Sequence, residues 1–241
     1  MMIPKIIHYC WFGHNPLPEE AHKCIGSWKN YFPDYDIIEW NESNFDVNRI
    51  PYTKEAYKLK KYAFVSDYAR MWILYHYGGL YFDTDVEVIR PIDDIILLGS
   101  FMGMEAQHNG VSTIAVAPGL GLGVNPGLGL IKTILQNYEN RHFVSWDGRI
   151  TDTIVSIVST IMIKEGIEQL PDGIYKCDEL FLYPPEYFCT LNYFTGEMNI
   201  TENTRSIHHY AATWVNKSEN ILGRIKKRIK FVTTRIICYF T

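Results

Sequence analysis

The first forty residues follow a strand, helix, strand order, which restricts the fold more than any other feature of the chain. Residues 3–9 are a short apolar run, residues 19–31 have helical character, and residues 35–40 form a second apolar run. A connection of this length between two strands predicts a right-handed parallel crossover, and hence an α/β protein with a central, mostly parallel sheet. Ligands of such sheets bind at the carboxyl ends of the strands, where Trp11 and Asn41 are predicted to lie.

Length and composition exclude several classes of protein. The 241 residues suit one domain with at most a small appendage, and 47% hydrophobic with 21% charged residues excludes a disordered chain. No apolar run reaches the roughly 18–20 residues of a membrane span. The start of the sequence lacks the pattern of a signal peptide, which favours a cytoplasmic location. The five cysteines form no C-x-x-C pair, so reduced thiols are expected and no zinc knuckle.

Charge is divided unevenly along the chain. Residues 1–216 carry 16 basic and 26 acidic side chains, whereas residues 217–241 carry seven basic and one acidic. An acidic body argues against nucleic-acid binding. Within the tail, apolar residues recur at helical spacing over 221–240 between basic ones, which predicts an amphipathic helix on an anionic membrane surface. The alternative is a helix packed on the acidic body. We therefore predict a catalytic domain at 1–216 and a membrane-attachment helix after it.

The central part of the chain gives a less regular pattern. A helix is predicted over 53–77, ending at Gly78-Gly79, and an apolar strand follows at 80–82. Further strands are expected at 100–106 and 112–117, and helices at about 128–139 and 151–165. The glycine-rich stretch 119–129 matches no phosphate-binding motif, so a flexible loop near an acceptor is predicted there. Residues 170–216 are predicted to be irregular.

The triplet Asp83-Thr84-Asp85 directly after the strand is the strongest chemical signal. Side chains two apart in an extended segment point to the same side, so the two carboxylates are able to address one divalent cation. A solvated strand end is the alternative, because D-x-D also occurs by chance. Asp67 and Arg70 lie three apart on the preceding helix and share one of its faces. An ordinary helix ion pair is the alternative interpretation of these two residues.

Together these residues form the string Ser66-Asp67-Tyr68-Ala69-Arg70 … Tyr77-Gly78-Gly79-Leu80-Tyr81-Phe82-Asp83-Thr84-Asp85. The string resembles the sugar-binding region with D-x-D motif of glycosyltransferase family 32, which is related to the glucosylating bacterial toxins. The resemblance extends over nearly all of the chain up to about residue 216. It includes the opening strand through Trp11, the segment 183–188, and the closing segment 206–214, where Ala212-Thr213 departs from the family's usual small residue and Ser before Trp214.

This resemblance implies a GT-A fold, a nucleotide-sugar donor, a glycan acceptor and transfer with retention of anomeric configuration. UDP-sugars are favoured over GDP-sugars, and a lipid-linked capsular or surface polysaccharide intermediate is the expected acceptor. Asp85, helped by Asp83, would hold Mn²⁺ or Mg²⁺ at the donor diphosphate. His208 or His209 would supply a further ligand, although a His-His pair is also typical of a polar turn.

The resemblance also assigns the remaining residues. Asp67 would bind the donor sugar's hydroxyls, with Arg70 holding Asp67 or meeting the sugar itself. The predicted donor-binding residues are Trp11, Asn41, Asp67, Arg70, Tyr81, Asp83 and Trp214. Trp11 in an apolar strand is equally typical of a core residue. Glu105 and Asp152 are candidates for polar groups near the acceptor, and neither is predicted to be a nucleophile, because front-face transfer needs none.

Three other functions fit parts of the same pattern. A protein-modifying transferase has the same fold, but the compact chain leaves little room for a target-recognition domain. A non-catalytic carbohydrate- or nucleotide-binding module is disfavoured by the intact acidic residues and arginine. A hydrolase with paired carboxylates is disfavoured because acids two apart on one strand are poorly placed to flank a glycosidic bond.

Overall fold

Strand β1 (Ile6–Cys10) lies in the interior of the sheet. Residues 7–10 are all buried although neighbouring side chains alternate between faces, so both faces of the strand are covered. The computed structural model describes residues 2–105, 114–144, 152–192 and 195–211. In it β1 pairs in parallel with β2 (Asp36–Trp40) on one side and β3 (Gly79–Tyr81) on the other. Helix α1 (Glu19–Tyr31) connects β1 to β2, which confirms the predicted crossover.

The sheet has helices on both faces. On one face α1 packs through Trp28 against Ile7 and Leu80. The helices on the other face share a buried cluster with Tyr81 and Leu122, because successive strand residues point to opposite sides. The helices of this second face are α2 (Pro51–Lys58), α3 (Tyr62–Tyr77), α5 (Gly129–Glu139) and α6 (Ile154–Glu165). The α/β class predicted from the sequence is confirmed.

The prediction of a single helix over 53–77 is wrong, since α2 and α3 are separate helices. The break lies at residues 59–61, where Lys60 has a positive φ of 57°. There the Lys60 N–H donates to the Tyr57 carbonyl and the Lys61 N–H to the Ala56 carbonyl, so the chain closes α2 before α3 begins. No glycine or proline marks this turn in the sequence. The apolar spacing continues through it and conceals the break.

The prediction of a flexible loop for the glycine-rich stretch 119–129 is also wrong, because this stretch contains a central strand of the sheet. Strand β6 (Leu122–Val124) lies between β3 and β5 (Ser100–Gly103) and is antiparallel to both. A Cβ on Gly123 would lie 2.4 Å from the Phe101 ring and 2.8 Å from Leu80. The glycine is therefore required by close packing inside the sheet, where a larger side chain has no room.

The rest of the described chain completes a sheet that is mixed rather than mostly parallel. With β7 (Glu168–Gln169), β8 (Tyr175–Cys177) and β9 (Leu180–Tyr183), the strand order of this sheet is β2-β1-β3-β6-β5-β9-β8-β7. Within this sheet the described strands form three parallel and four antiparallel pairs. The prediction that 170–216 is irregular is thus wrong. The remaining elements are β4 (Val86–Val88), α4 (Asp93–Leu98), α7 (Pro185–Phe188) and β10 (Ser206–His208).

Other predicted elements are shorter than expected or lie outside the described residues. Of the predicted strand 112–117, the described part contains only an isolated bridge between Val116 and Met104. Trp214, the boundary at 216 and the helix 221–240 fall in the undescribed residues 212–241. Among the residues that are described, no helix is both long enough and apolar enough to cross a membrane.

Candidate functional site

The two acids of the D-x-D triplet lie in the connection between β3 and β4, at the carboxyl end of β3. The Asp83 N–H donates to the Gly119 carbonyl at 3.0 Å, and the Val86 N–H donates to the Asp83 carbonyl at 3.0 Å. Residues 84–85 are therefore a tight turn and not an extended strand. The turn brings the two carboxylates together. The sequence predicted the same closeness for a different reason, namely that side chains two apart in an extended strand point to the same side.

Arg70 joins the helix α3 to this turn. Its Nη2 lies 3.0 Å from Asp67 Oδ1 and 3.2 Å from Asp83 Oδ1, and its Nη1 donates to Asp83 Oδ2 at 3.3 Å. Nε donates to the Ser66 carbonyl one turn earlier. The Tyr81 ring lies under the guanidinium, 4.8 Å from its central carbon. The planar fork of arginine thus holds two carboxylates at once, which a lysine ammonium is unable to do in the same geometry.

The charge balance around Arg70 is unusual for a buried site. The Arg70 side chain is 5% exposed, that of Asp67 is 12% exposed and that of Asp83 is 31% exposed, so one buried guanidinium faces one buried and one partly exposed acid. Burial raises the pKa of Asp67 to about 7, opposed by Arg70 and reinforced by Asp83. Excess negative charge in a low-dielectric wall favours a ligand that brings hydrogen-bond donors or a cation.

Asp85 faces a second partner, His208 at the end of β10. Strand β10 runs antiparallel to β4 with His208 opposite Val86, which brings the imidazole Nε2 to 3.1 Å from Asp85 Oδ1. The Ala211 N–H donates to Asp85 Oδ2 at 2.9 Å. Burial alone raises the pKa of Asp85, but the charge and hydrogen bond of His208 and the Ala211 N–H bring it below its ordinary value. Asp85 is therefore an anion at neutral pH.

Asp83, Asp85 and His208 form a group whose residues fit a divalent cation. One ligand atom from each lies within 4.8 Å of the others. Two carboxylate oxygens and an imidazole nitrogen are the donor types of divalent metal sites. The second imidazole nitrogen, His208 Nδ1, is buried with no hydrogen-bond partner in the described part of the chain, so no protein group fixes the ring's tautomer from that side.

These residues line one wall of a cleft of about 1120 Å³. Trp11 lies at its edge, partly exposed, with Nε1 donating to the Asn15 carbonyl at 2.6 Å. Glu105 lines the same cleft, and burial raises the pKa of its carboxyl. The structure thus brings together seven of the predicted residues around one space: Trp11, Asp67, Arg70, Asp83, Asp85, Glu105 and His208.

The other predicted site residues lie elsewhere. Asn41 Oδ1 accepts from the Ser43 N–H and hydroxyl in a surface turn, so its side chain stabilises that turn. His209 bonds Glu87 at 2.8 Å, and Asp152 pairs with Arg141 at the surface. Tyr81 is buried beneath Arg70 and donates to Asp83 Oδ1, which makes it a support of the site. Trp214 is outside the described residues.

Two features of the cleft were not predicted from the sequence. One is Gly119, where a Cβ would lie 1.9 Å from Asp83 Oδ2, so only glycine allows this approach. The other is a row of hydroxyl side chains at the N-cap and first turns of α6 that line the same cleft. Thr153 caps this helix by accepting from the Ser156 N–H at 3.3 Å. The spacing of Thr153, Ser156, Ser159 and Thr160 is a helical stripe that was readable in the sequence.

Comparison with known proteins agrees with this geometry. Residues 18–101 match the family model described as "Glycosyltransferase sugar-binding region containing DXD motif". Inositol phosphoceramide mannosyltransferase 1 of Schizosaccharomyces pombe is 29% identical over 121 residues, covering 46% of this chain and 36% of that protein. An uncharacterised glycosyltransferase of Acanthamoeba polyphaga mimivirus is 37% identical over 110 residues, covering 42% of each. The chain spans less than half the length of either relative.

Among solved structures, the PaToxG glycosyltransferase superposes with a TM-score of 0.50 at 17% identity, covering 68% of this chain and 70% of that one. At this identity the likeness shows the fold alone, which is the GT-A type implied by the sequence resemblance. The matched residues 18–101 include the D-x-D triplet, so the comparisons confirm the resemblance to the glycosyltransferase sugar-binding region that contains the DXD motif.

Proposed function

We propose that the protein is a metal-dependent glycosyltransferase that moves a hexose from a nucleotide sugar to a glycan acceptor. The observation that carries the proposal is the pair of linked clusters in one wall of the cleft. Arg70 bridges Asp67 and Asp83 in the first, and Asp83, Asp85 and His208 form the second. Because Asp83 belongs to both, a cation site and a polar sugar site would share a boundary.

The metal would be held by Asp83, Asp85 and His208. When bound, a divalent cation supplies positive charge that stabilises the donor diphosphate and the departing nucleoside diphosphate. The carboxylates suit both Mn²⁺ and Mg²⁺, and the imidazole nitrogen favours Mn²⁺ of the two. Asp85 is already an anion before a cation binds, because His208 and the Ala211 N–H hold the pKa of its carboxyl low. Asp85 in turn raises the pKa of His208, so the imidazole would release its proton when a ring nitrogen is offered to the metal.

The chain's own residues would then orient the donor sugar. Asp67 faces the cleft with its carboxylate fixed by Arg70, and it would accept hydrogen bonds from sugar hydroxyls. The guanidinium of Arg70 binds Asp67 and Asp83, and Arg70 would act by positioning these two carboxylates. Trp11 at the cleft edge offers its ring to the nucleotide base, since its N–H is already used by Asn15.

The transfer itself is proposed to be a front-face reaction with retention. The bond between the anomeric carbon and the leaving phosphate oxygen breaks, and the acceptor hydroxyl oxygen bonds to the same face of that carbon. The acceptor proton passes to the leaving phosphate oxygen. A double displacement needs an ionised carboxylate close to the anomeric carbon. Glu105 lines the cleft but is not proposed as that nucleophile, because front-face transfer needs none, and Asp152 is disfavoured because it lies outside the cleft.

For the donor, we propose a UDP-hexose in preference to a GDP-hexose. The reason is that the Trp11 strand and the Asp67–Arg70 pair resemble those of glycosyltransferases that use UDP-sugars. The relatives named as mannosyltransferases make mannose a necessary member of any donor panel. For the acceptor, we propose a lipid-linked capsular or surface glycan. Two observations support a lipid: relatives are named for inositol phosphoceramide, and the cleft has apolar residues such as Phe64, Ile154 and Val155.

Location is a proposal of the same kind. We place the protein in the cytoplasm, peripheral on the inner face of the cell membrane, with 221–240 as an attachment helix. The support is the alternation of basic and apolar residues in that segment. A protein-modifying transferase, a hydrolase and a non-catalytic binding module stand as alternatives, and the following experiment separates the binding module from the main proposal.

The test is cleavage of donors from a panel of UDP- and GDP-hexoses, including both mannose donors, with added Mn²⁺ and no acceptor. Released nucleoside diphosphate is measured for wild type, Asp85→Asn and Glu87→Gln. Glu87 is a matched control because it lies two residues on and pairs with His209 outside the cation cluster. We expect one donor to be cleaved by wild type and Glu87→Gln, and at least 100-fold more slowly by Asp85→Asn. Nucleotide binding without cleavage would favour a nucleotide-binding module, and neither cleavage nor nucleotide binding would contradict the proposal and leave a carbohydrate-binding module.

A further inference from the structure

Residues 49–61 form a basic surface on an otherwise acidic body, and we call this segment the basic shoulder. It contains five of the 16 basic residues found in residues 1–216, against a single acid, Glu55. Its basic residues are Arg49, Lys54, Lys58, Lys60 and Lys61. The shoulder is distinct from the tail after residue 216 and belongs to the folded body, between β2 and α3.

The lysines of the shoulder are exposed and carry uncompensated charge. Lys54 and Lys58 are one turn apart on α2, and Lys60 follows in the turn before α3, all three exposed. Within the described residues, none of these three forms an ion pair. Glu55 does not neutralise them, because its carboxylate accepts from the Phe143 N–H at 2.9 Å and bonds His142. The net charge of the shoulder therefore faces solvent.

Two further features make the shoulder suited to a surface of anionic headgroups. Leu59, at the turn between the helices, is 51% exposed and stands directly between Lys58 and Lys60. An apolar residue flanked by cations is the pattern that inserts into the interface while the charges remain at the headgroups. Beside it lies a surface hollow of about 440 Å³ whose lining includes Arg49, Lys54 and Lys58 against the single carboxylate of Glu55, so its net charge is positive.

The shoulder also adjoins the cleft. Helix α3 begins at Tyr62, two residues after Lys60, and its residues Tyr62, Ala63 and Phe64 line the cleft. Asp67 follows on the same helix, one turn after Ala63. A flat partner resting on the shoulder would therefore lie at the rim of the cleft, next to its apolar side.

We propose that the basic shoulder is a docking surface for an anionic lipid membrane. Its charge complements that of the headgroups, and Leu59 supplies apolar contact at the centre. This inference stands apart from the proposed glycosyl transfer, because it rests on surface charge and exposure alone. It also differs from attachment through 221–240, since the contact is made by the folded body and fixes which side of the body faces the bilayer.

The first test measures binding of the full chain to vesicles, either phosphatidylcholine alone or with 30 mol% phosphatidylglycerol. The shoulder variant is Lys54→Glu/Lys58→Glu/Lys60→Glu. The control, Lys29→Glu/Lys132→Glu/Lys164→Glu, makes the same change of charge at exposed lysines on α1, α5 and α6. We expect binding only to the anionic vesicles, weakened at least tenfold in the shoulder variant and less than threefold in the control. Equal losses in the two variants, or none in the shoulder variant, would overturn the proposal.

A second measurement locates the contact without altering the lysines. An environment-sensitive fluorophore is attached at Leu59→Cys or, as a control, at Lys132→Cys, both in a Cys238→Ser background. The cysteines among the described residues are buried, so the introduced thiol is the one accessible to labelling there. We expect a blue shift of emission at position 59 on adding anionic vesicles, and no shift at position 132. Co-sedimentation without a shift at position 59 would show that the body does not dock through the shoulder.

Discussion

Arg70 and Asp83 are joined by two contacts of 3.2 and 3.3 Å, which fasten the turn after β3 to the middle of α3. The same guanidinium holds Asp67, so the two acids are spaced by one rigid side chain. The position of the D-x-D turn relative to the helix is thus set by a buried ion-pair network, and the residues proposed to meet the sugar and the metal move together.

Arg70→Lys is the direct test of this network. A lysine keeps the charge but lacks the planar fork, so one of the two carboxylates is left without its charged partner in a buried site. We expect the free energy of unfolding to fall by about 1–3 kcal/mol and donor cleavage to fall at least 100-fold. Urea unfolding and the donor assay check the two effects.

The matched control is Arg141→Lys, at a pair with Asp152 that is open to solvent. Surface pairs of this kind contribute about 0–1 kcal/mol, so little change is expected in either assay. Equal effects of the two substitutions would show that the fork of Arg70 has no special role.

Gly119→Ala tests the close approach of the glycine to the acids. An added Cβ would lie 1.9 Å from Asp83 Oδ2 and 2.8 Å from Arg70 Nη1, so the carboxylate has to move. We expect donor cleavage to fall at least 100-fold and stability to fall by about 1–3 kcal/mol. Gly26→Ala is the control, because nothing lies within 4 Å of its Cβ in α1 and alanine favours a helix by about 0.5–1 kcal/mol. Retained activity in Gly119→Ala would refute the geometry of this contact.

Asp67→Asn separates stability from function. Burial raises the pKa of Asp67 from 3.8 to about 7, so the ionised side chain opposes folding above that pH. Wild type then gains about 1 kcal/mol of stability as the pH falls from 8 to 6, where the folded protein takes up a proton that the unfolded chain does not. The variant lacks this gain. We expect Asp67→Asn to be at least as stable as wild type at pH 8, to lose that advantage at pH 6, and to cleave donor poorly.

Unfolding curves at the two pH values test this sign, with Asp152→Asn as an exposed control. A wild type that loses stability relative to Asp67→Asn on going from pH 8 to pH 6 would contradict the burial argument.

For His8 we expect an effect of pH on stability that is opposite in sign to that of Asp67. The Trp40 N–H donates to His8 Nδ1 at 3.0 Å, so the neutral ring carries its proton on Nε2 and donates it to the Gly78 carbonyl. Burial lowers the pKa of His8 from 6.5 to about 4, and a proton on Nδ1 would also face the Trp40 N–H. A lowered folded pKa means that stability is full above pH 6.5 and is lost as the pH falls toward 4.

Between pH 7 and pH 5 this residue should account for about 2 kcal/mol of lost stability. The measurement is the difference in urea unfolding between wild type and His8→Gln at the two pH values, since all other groups titrate in both proteins. Parallel losses in the two proteins would show that His8 is not the group responsible.

The sequence predicted the parts of the fold that depend on short-range pattern. The crossover β1–α1–β2 and the acids after β3 follow from apolar spacing and neighbouring residues, and both are found. The break after Lys58 and the strand around Gly123 were missed for physical reasons. A turn without glycine or proline has no local signature, and a glycine required by close packing looks the same in sequence as one required by a loop.

The sequence predicted the residue types of the site better than the spatial arrangement of their side chains. Neither the turn that joins Asp83 to Asp85 nor the choice between His208 and His209 is encoded locally. The turn is held by the hydrogen bonds of Asp83 to Gly119 and of Val86 to Asp83. The choice of histidine depends on the pairing of β10 with β4, which places His208 beside Asp85 and His209 beside Glu87. Asn41 failed as a cleft residue because its own turn uses its side chain.

The most direct test of the account is a calorimetric titration of Mn²⁺ in the presence of UDP, comparing wild type with His208→Gln and His209→Gln. The two histidines are neighbours, yet only His208 lies with Asp83 and Asp85. We expect one Mn²⁺ site in wild type and in His209→Gln, with affinity at least tenfold weaker in His208→Gln. Equal affinity in the two variants, or no Mn²⁺ binding by wild type, would contradict it.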